Sequence, residues 1–145
     1  PLSQEYTQRL LDADPVRGAY LAKKLEQPLT AVALDGQGPL ATAYANDVGW
    51  QGVYAQQLLG LGRAGDVFLG ISTSGSSQNV IYAAVAAKAL GMPVVALTGA
   101  DGGQLAAAAA AVVRAPAEET DQVQELHLPI YHCWCRMLEE RFFGG

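Results

Sequence analysis

The sequence predicts an α/β fold in which helices cover both faces of a parallel sheet, a three-layer α/β/α arrangement. Three observations carry this. Short continuous apolar runs, such as Asp66-Val-Phe-Leu-Gly-Ile71 and Pro93-Val-Val-Ala-Leu97, are the pattern of strands buried on both faces. Stretches with helical start and stop signals separate these runs, so strand and helix alternate. The chain has 145 residues and is 50% apolar, enough for one domain with a real core and too short for two.

The elements follow in order. Ser3 to Asp12 carries a weak apolar stripe of Tyr6, Leu10 and Leu11 and reads as a helix. Asp14-Pro15 starts a second helix, since an Asp carboxylate accepts from first-turn N–H groups and Pro fits the first turn. That helix runs to Glu26, and residues 1–28 read as a helical N-terminal segment. Thr30-Ala-Val-Ala-Leu34, closed by Asp35-Gly36, reads as a strand. Pro39 to Asn46 and Val53 to Leu61 read as helices. Asp66 to Ile71 is the clearest strand. Behind it come Ser72-Thr-Ser-Gly-Ser-Ser77 and a helix from Gln78 to Leu90, stopped by Gly91 and Pro93. Pro93 to Leu97 is the next strand, Gln104 to Ala110 a short helix, and Ala111 to Ala115 a strand. Thr120 to Phe143 reads as one long helix containing Pro129.

Composition removes several function classes. The longest purely apolar run, Leu105 to Val113, is nine residues, and a membrane helix needs about 20. Nine Lys and Arg residues, none clustered, and a net charge of −5 disfavour direct nucleic-acid or anionic-membrane binding. Charged residues make up only 16%, which points to surface covered by another subunit or rich in Ala. Cys133 and Cys135 lie about 200° apart around a helix, too far for a mutual disulfide, and read as small core thiols. With no signal-peptide pattern they point to the reducing cytoplasm. A start at Pro1 rather than Met implies processing or a longer parent chain.

The loop Ser72-Thr73-Ser74-Gly75-Ser76-Ser77 carries most of the chemistry. It joins the C-terminal end of a strand to the N-terminus of a helix, where open α/β sheets bind ligands. Free N–H groups, the positive end of the helix dipole and five hydroxyls in six residues suit a phosphate without Lys or Arg. A plain helix-capping turn would need one such hydroxyl. The Gly-x-x-x-x-Gly-Lys pattern of nucleotide hydrolases is absent. Gly36-Gln-Gly-Pro-Leu-Ala41 fits a dinucleotide-type G-x-G-x-x-A, yet Ala55 and Gln56 stand where its ribose-binding acid belongs. On the last helix, Asp121, Gln124, Leu128 and His132 fall within a wedge of about 80°. The three polar members are placed to share a cleft, with His132 either an acid/base or a hydrogen-bonded interface residue; His127 lies off the wedge. The remaining residues of this helix are apolar nearly all round, which implies burial, partly against another subunit.

Four segments together resemble the sugar isomerase (SIS) domain family, in particular its phosphoheptose isomerase branch. They are Ala45-Asn-Asp47, Arg63 to Ser77, Gly91 to Gly99 with Gly102-Gly103, and Glu119 to His132. The resemblance implies a SIS-type, flavodoxin-like domain over residues 29–145. It implies interconversion of sedoheptulose 7-phosphate and D-glycero-D-manno-heptose 7-phosphate through an enediol. It places substrate contacts on Asn46, Asp47, Ser72, Thr73, Ser74, Ser77 and Gln124, support from Asp121, and the acid/base on His132. Gln124 and His132 also match zinc ligands of metal-containing members. A homodimer or homotetramer is implied. Family members begin with a strand, a Gly-Asn-Gly-Gly-Ser loop and a helix carrying a Glu base; this sequence has no such unit and is expected to lack the first strand and the base. The alternative is a non-catalytic module that binds a sugar phosphate or a protein partner such as a replication initiator.

Overall fold

The computed structural model describes residues 2–144, in two compact units divided between Ala33 and Leu34. In the first, α1 (Gln4–Ala13) and α2 (Pro15–Lys24) form a hairpin. Ser3 Oγ accepts from the Tyr6 N–H, and Asp14 Oδ1 accepts from the N–H groups of Val16 and Arg17 at 3.0 and 2.8 Å. The two helices meet at Gly18, where a side chain would collide with the Leu10 carbonyl. The expected strand Thr30 to Leu34 does not form. Residues 25–33 are exposed and irregular, and Leu34–Gly36 is a 3-10 turn. A strand lives by its ladder, and this apolar run pairs with none, so its composition alone does not order it.

In the second unit, α3 (Gly38–Asp47) and α4 (Val53–Leu61) precede β1 (Phe68–Ser72), α5 (Gln78–Ala89), β2 (Val94–Thr98), α6 (Gly103–Ala108), β3 (Ala111–Arg114) and α7 (Thr120–Phe143). The three strands are parallel in the order β1-β2-β3, as the helix-linked apolar runs predict. Their register sets Ser72 beside Thr98 and Thr98 beside Arg114, so one residue from each strand marks the C-terminal end of the sheet. Phe68, Val94 and Ala96 pack on one face against Leu58 of α4, Ala83, Ala84 and Ala87 of α5, and Leu105 of α6. The short alanines let α5 lie close to the sheet. On the opposite face Leu69 and Ile71 remain 41% and 46% exposed, so among the described residues β1 has no helical cover there and no neighbour beyond it.

Candidate functional site

Phe68 to Ser72 delivers the serine loop to the N-terminus of α5, and the loop is held from two sides. Within it, the hydroxyls of Ser72 and Ser77 share a hydrogen bond of 2.9 Å, Gly75 N–H donates to Ser72 O at 3.1 Å, and Ser76 N–H donates to Ser74 Oγ at 3.2 Å. From outside, the turn after β2 clasps it. Leu105 N–H donates to Gly75 O at 2.9 Å and Gly99 N–H donates to Thr73 O at 2.9 Å. Glycines make the clasp. Gly75 and Gly102 have φ of +64° and +81°, and a side chain on Gly75 would run into the Gly102 carbonyl. A Cβ on Gly103 would lie 2.6 Å from Gly75 O.

Ser77 is the N-cap of α5 but makes no side-chain cap bond; its hydroxyl pairs with that of Ser72. The first-turn N–H groups of Gln78 and Asn79 therefore point out with no partner among the described residues. Thr73 is half-buried, and Ser74, Ser76 and Ser77 are exposed. Backbone donors, hydroxyls and a helix dipole converge without a cation in the loop, a neutral cradle for an anion. Gly36-Gln-Gly-Pro-Leu-Ala41 offers no second such site: it spans a 3-10 turn and the start of α3, with no strand before it.

The other expected site residues are placed less tightly. Asn46 and Asp47 close α3, both exposed, with no side-chain hydrogen bond to the loop or to α7. Asp121, Gln124 and His132 lie along one stripe of α7 as the spacing predicts, and all three are exposed. His132 packs edge-on against Tyr131, ring centroids 4.9 Å apart. The helix runs unbroken through Pro129. Its burial departs from expectation: only Val123 and His127 are buried, and Met137 and Phe142 are 62% and 59% exposed. Cys133 and Cys135 are free and exposed, not core thiols, because they lie on sides of the helix that no described residue covers.

Sequence reasoning passed over His127. It is 4% exposed and its Nε2–H donates to Thr98 O at 3.1 Å. The signal was present in the i,i+4 spacing of Val123 and His127, which puts both on one side of α7. Arg114 is the other missed residue: its side chain lies over Gly102, bringing the one cation of the strand ends beside the clasp.

The model of the SIS domain family matches residues 16–99. The chain belongs to the SIS domain family. It is 42% identical over 116 residues to the phosphoheptose isomerase of Sulfurimonas denitrificans, covering 80% of this chain and 60% of that protein. With the phosphoheptose isomerase of Alkalilimnicola ehrlichii it shares 44% over 126 residues, covering 84% and 64%. The structure of the Neisseria gonorrhoeae phosphoheptose isomerase superposes with a TM-score of 0.74 at 42% identity, covering 82% of this chain and 67% of that one. This SIS chain therefore spans about three-fifths of the curated relatives it matches.

The zinc ion that the resemblance to metal-containing members implies would fall on Gln124 and His132. Gln124 and His132 are eight positions apart, about 12 Å along the helix axis. Among the described residues no group of three His, Cys, Asp or Glu side chains could hold a metal ion. Two ligands fall short of the four that zinc takes, so these residues alone do not fit it.

Proposed function

We propose that this SIS domain binds a sugar phosphate and belongs to an aldose–ketose isomerase that converts sedoheptulose 7-phosphate to D-glycero-D-manno-heptose 7-phosphate. The observation that carries this is the neutral cradle at Ser72–Ser77, glycine-clasped and capped by unpartnered α5 N–H groups. The names of the curated relatives support the same chemistry.

The phosphate dianion enters the cradle, accepting from the Gln78 and Asn79 N–H groups and from the hydroxyls of Thr73, Ser74 and Ser77. Asn46, Asp47 and Gln124 hydrogen-bond the sugar hydroxyls, and Asp121, in the first turn of α7, supports the site. Moving a proton between adjacent carbons requires an acid and a base. His132 supplies the acid, giving a proton to the carbonyl oxygen as the neighbouring C–H proton leaves to a base and the enediol forms, and taking a proton back as the enediol collapses to the product. The Glu base that the family carries has no counterpart in this sequence. We further propose a homodimer or homotetramer with the distal half of α7 at the interface, supported by its exposed Met137, Leu138 and Phe142.

The test is turnover of sedoheptulose 7-phosphate by the native protein and by His132→Ala. The expected loss is about 10²–10⁴-fold. Equal turnover removes His132 from the chemistry. Binding of the sugar phosphate without turnover is the outcome expected of a chain that has no counterpart of the base, and failure to bind it overturns the proposal.

A further inference from the structure

We infer that His127 is a positioning residue that sets the α7 helix, and with it Gln124, relative to the serine loop through the dipeptide Thr98–Gly99. The inference rests on the sugar-phosphate reading only for what Gln124 touches. The joint itself stands on geometry.

Thr98–Gly99 is touched from both sides. Gly99 N–H donates to Thr73 O of the serine loop at 2.9 Å, and a Cβ on Gly99 would lie 2.6 Å from that same oxygen. On the other side, His127 Nε2–H donates to Thr98 O at 3.1 Å, and the Gly99 Cβ position is 3.1 Å from Val123 Cγ2. Val123 and His127 are the buried residues of α7, and both meet the same two successive backbone units. The anchored side lies about 120° around the helix from the stripe of Asp121, Gln124 and His132. Rotation about the anchor thus swings the stripe directly. Val123 alone makes a non-directional contact, whereas the hydrogen bond fixes the angle.

Thr98 O also accepts from Ala115 N–H at 2.8 Å, within the register of β2 and β3. A carbonyl oxygen only accepts, so the imidazole proton sits on Nε2. Removing the imidazole leaves Thr98 O still satisfied by Ala115, so its loss loosens α7 without opening the sheet.

The experiment compares native protein, His127→Leu and His127→Gln; Gln places an amide N–H near the position of Nε2. Hydrogen exchange is read at the α7 amides from Val123 to Leu128 and at those of β1 and β2. In His127→Leu the α7 amides should exchange about five- to tenfold faster while β1 and β2 keep their rates, and His127→Gln should restore the native rates. In parallel, inorganic phosphate should bind His127→Leu within twofold of native, while sedoheptulose 7-phosphate binds at least fivefold more weakly. Equal acceleration across α7, β1 and β2 makes His127 a general core residue and overturns the inference. So do unchanged α7 rates, failure of Gln to restore them, or an unchanged affinity for a sugar phosphate that the native protein binds. A native protein that binds neither ligand sinks the sugar-phosphate reading, and the exchange rates still decide this one.

Discussion

Replacing Gly75 by Ala tests whether the clasp between the two loops is what shapes the phosphate cradle. Two costs arise. The φ of +64° puts an L-residue in the left-handed region, about 1–2 kcal/mol. The added methyl also meets the carbonyl of Gly102, which is backbone and cannot rotate away like a side chain. To relieve this the 102–103 turn must retreat, giving up the Leu105 N–H to Gly75 O bond of 2.9 Å, about 1 kcal/mol net. The expected total is about 3 kcal/mol of stability, with at least a tenfold loss of phosphate affinity. Gly65→Ala is the control: its φ is +96° but nothing lies within 4 Å, so only the conformational cost of about 1–2 kcal/mol applies. Urea denaturation measures both through the midpoint at unchanged slope. Equal losses for the two substitutions would refute the clasp, since the steric contribution would then be nil.

Three further outcomes are expected. A double-mutant cycle on Ser72→Ala and Ser77→Ala should show a coupling of about 0.5–1.5 kcal/mol from their 2.9 Å hydroxyl bond; additive losses would mean that the bond does not persist in solution. Leu105→Ala should cost about 2–5 kcal/mol in urea, because Leu105 is fully buried over Gly70 and nothing small can fill its place. Asp14 should make α2 acid-sensitive. The Arg17 N–H, then the Arg17 guanidinium, lower its pKa below the usual 3.8. A lowered folded pKa gives stability that is present above 3.8 and lost as pH falls through the folded value, so circular dichroism should show helix loss in that window. Asp14→Asn keeps an acceptor for the cap and should remove that acid step.

Signals local in the chain were legible. Asp14-Pro15 caps α2 as its chemistry demands, and β1, β2 and β3 form within a residue or two of their apolar runs, although only β2 is covered on both faces. The serine loop was legible for the same reason: hydroxyls and a glycine between strand and helix leave the backbone donors free. What failed depends on neighbours. Thr30 to Leu34 has strand composition, but a strand also needs a ladder. Cys133 and Cys135 have the character of buried residues, yet they face out from sides of α7 that no described residue covers. His127 was passed over because periodicity finds a polar stripe, whereas its role comes from the carbonyl of Thr98, 29 positions away. Asn46, Asp47, Gln124 and His132 were placed by resemblance, and no hydrogen bond among the described residues brings them to the loop.

The central claim is that Ser72 to Asn79 grips a phosphate dianion with neutral dipoles alone. A ¹H–¹⁵N correlation spectrum recorded while sedoheptulose 7-phosphate, and separately inorganic phosphate, is added tests it most directly. The account predicts saturable shifts of the Ser74, Gly75, Ser76, Ser77, Gln78 and Asn79 amides with both ligands, and of Gln124 with the sugar phosphate only. Amides of this loop that stay put at saturating ligand would contradict it.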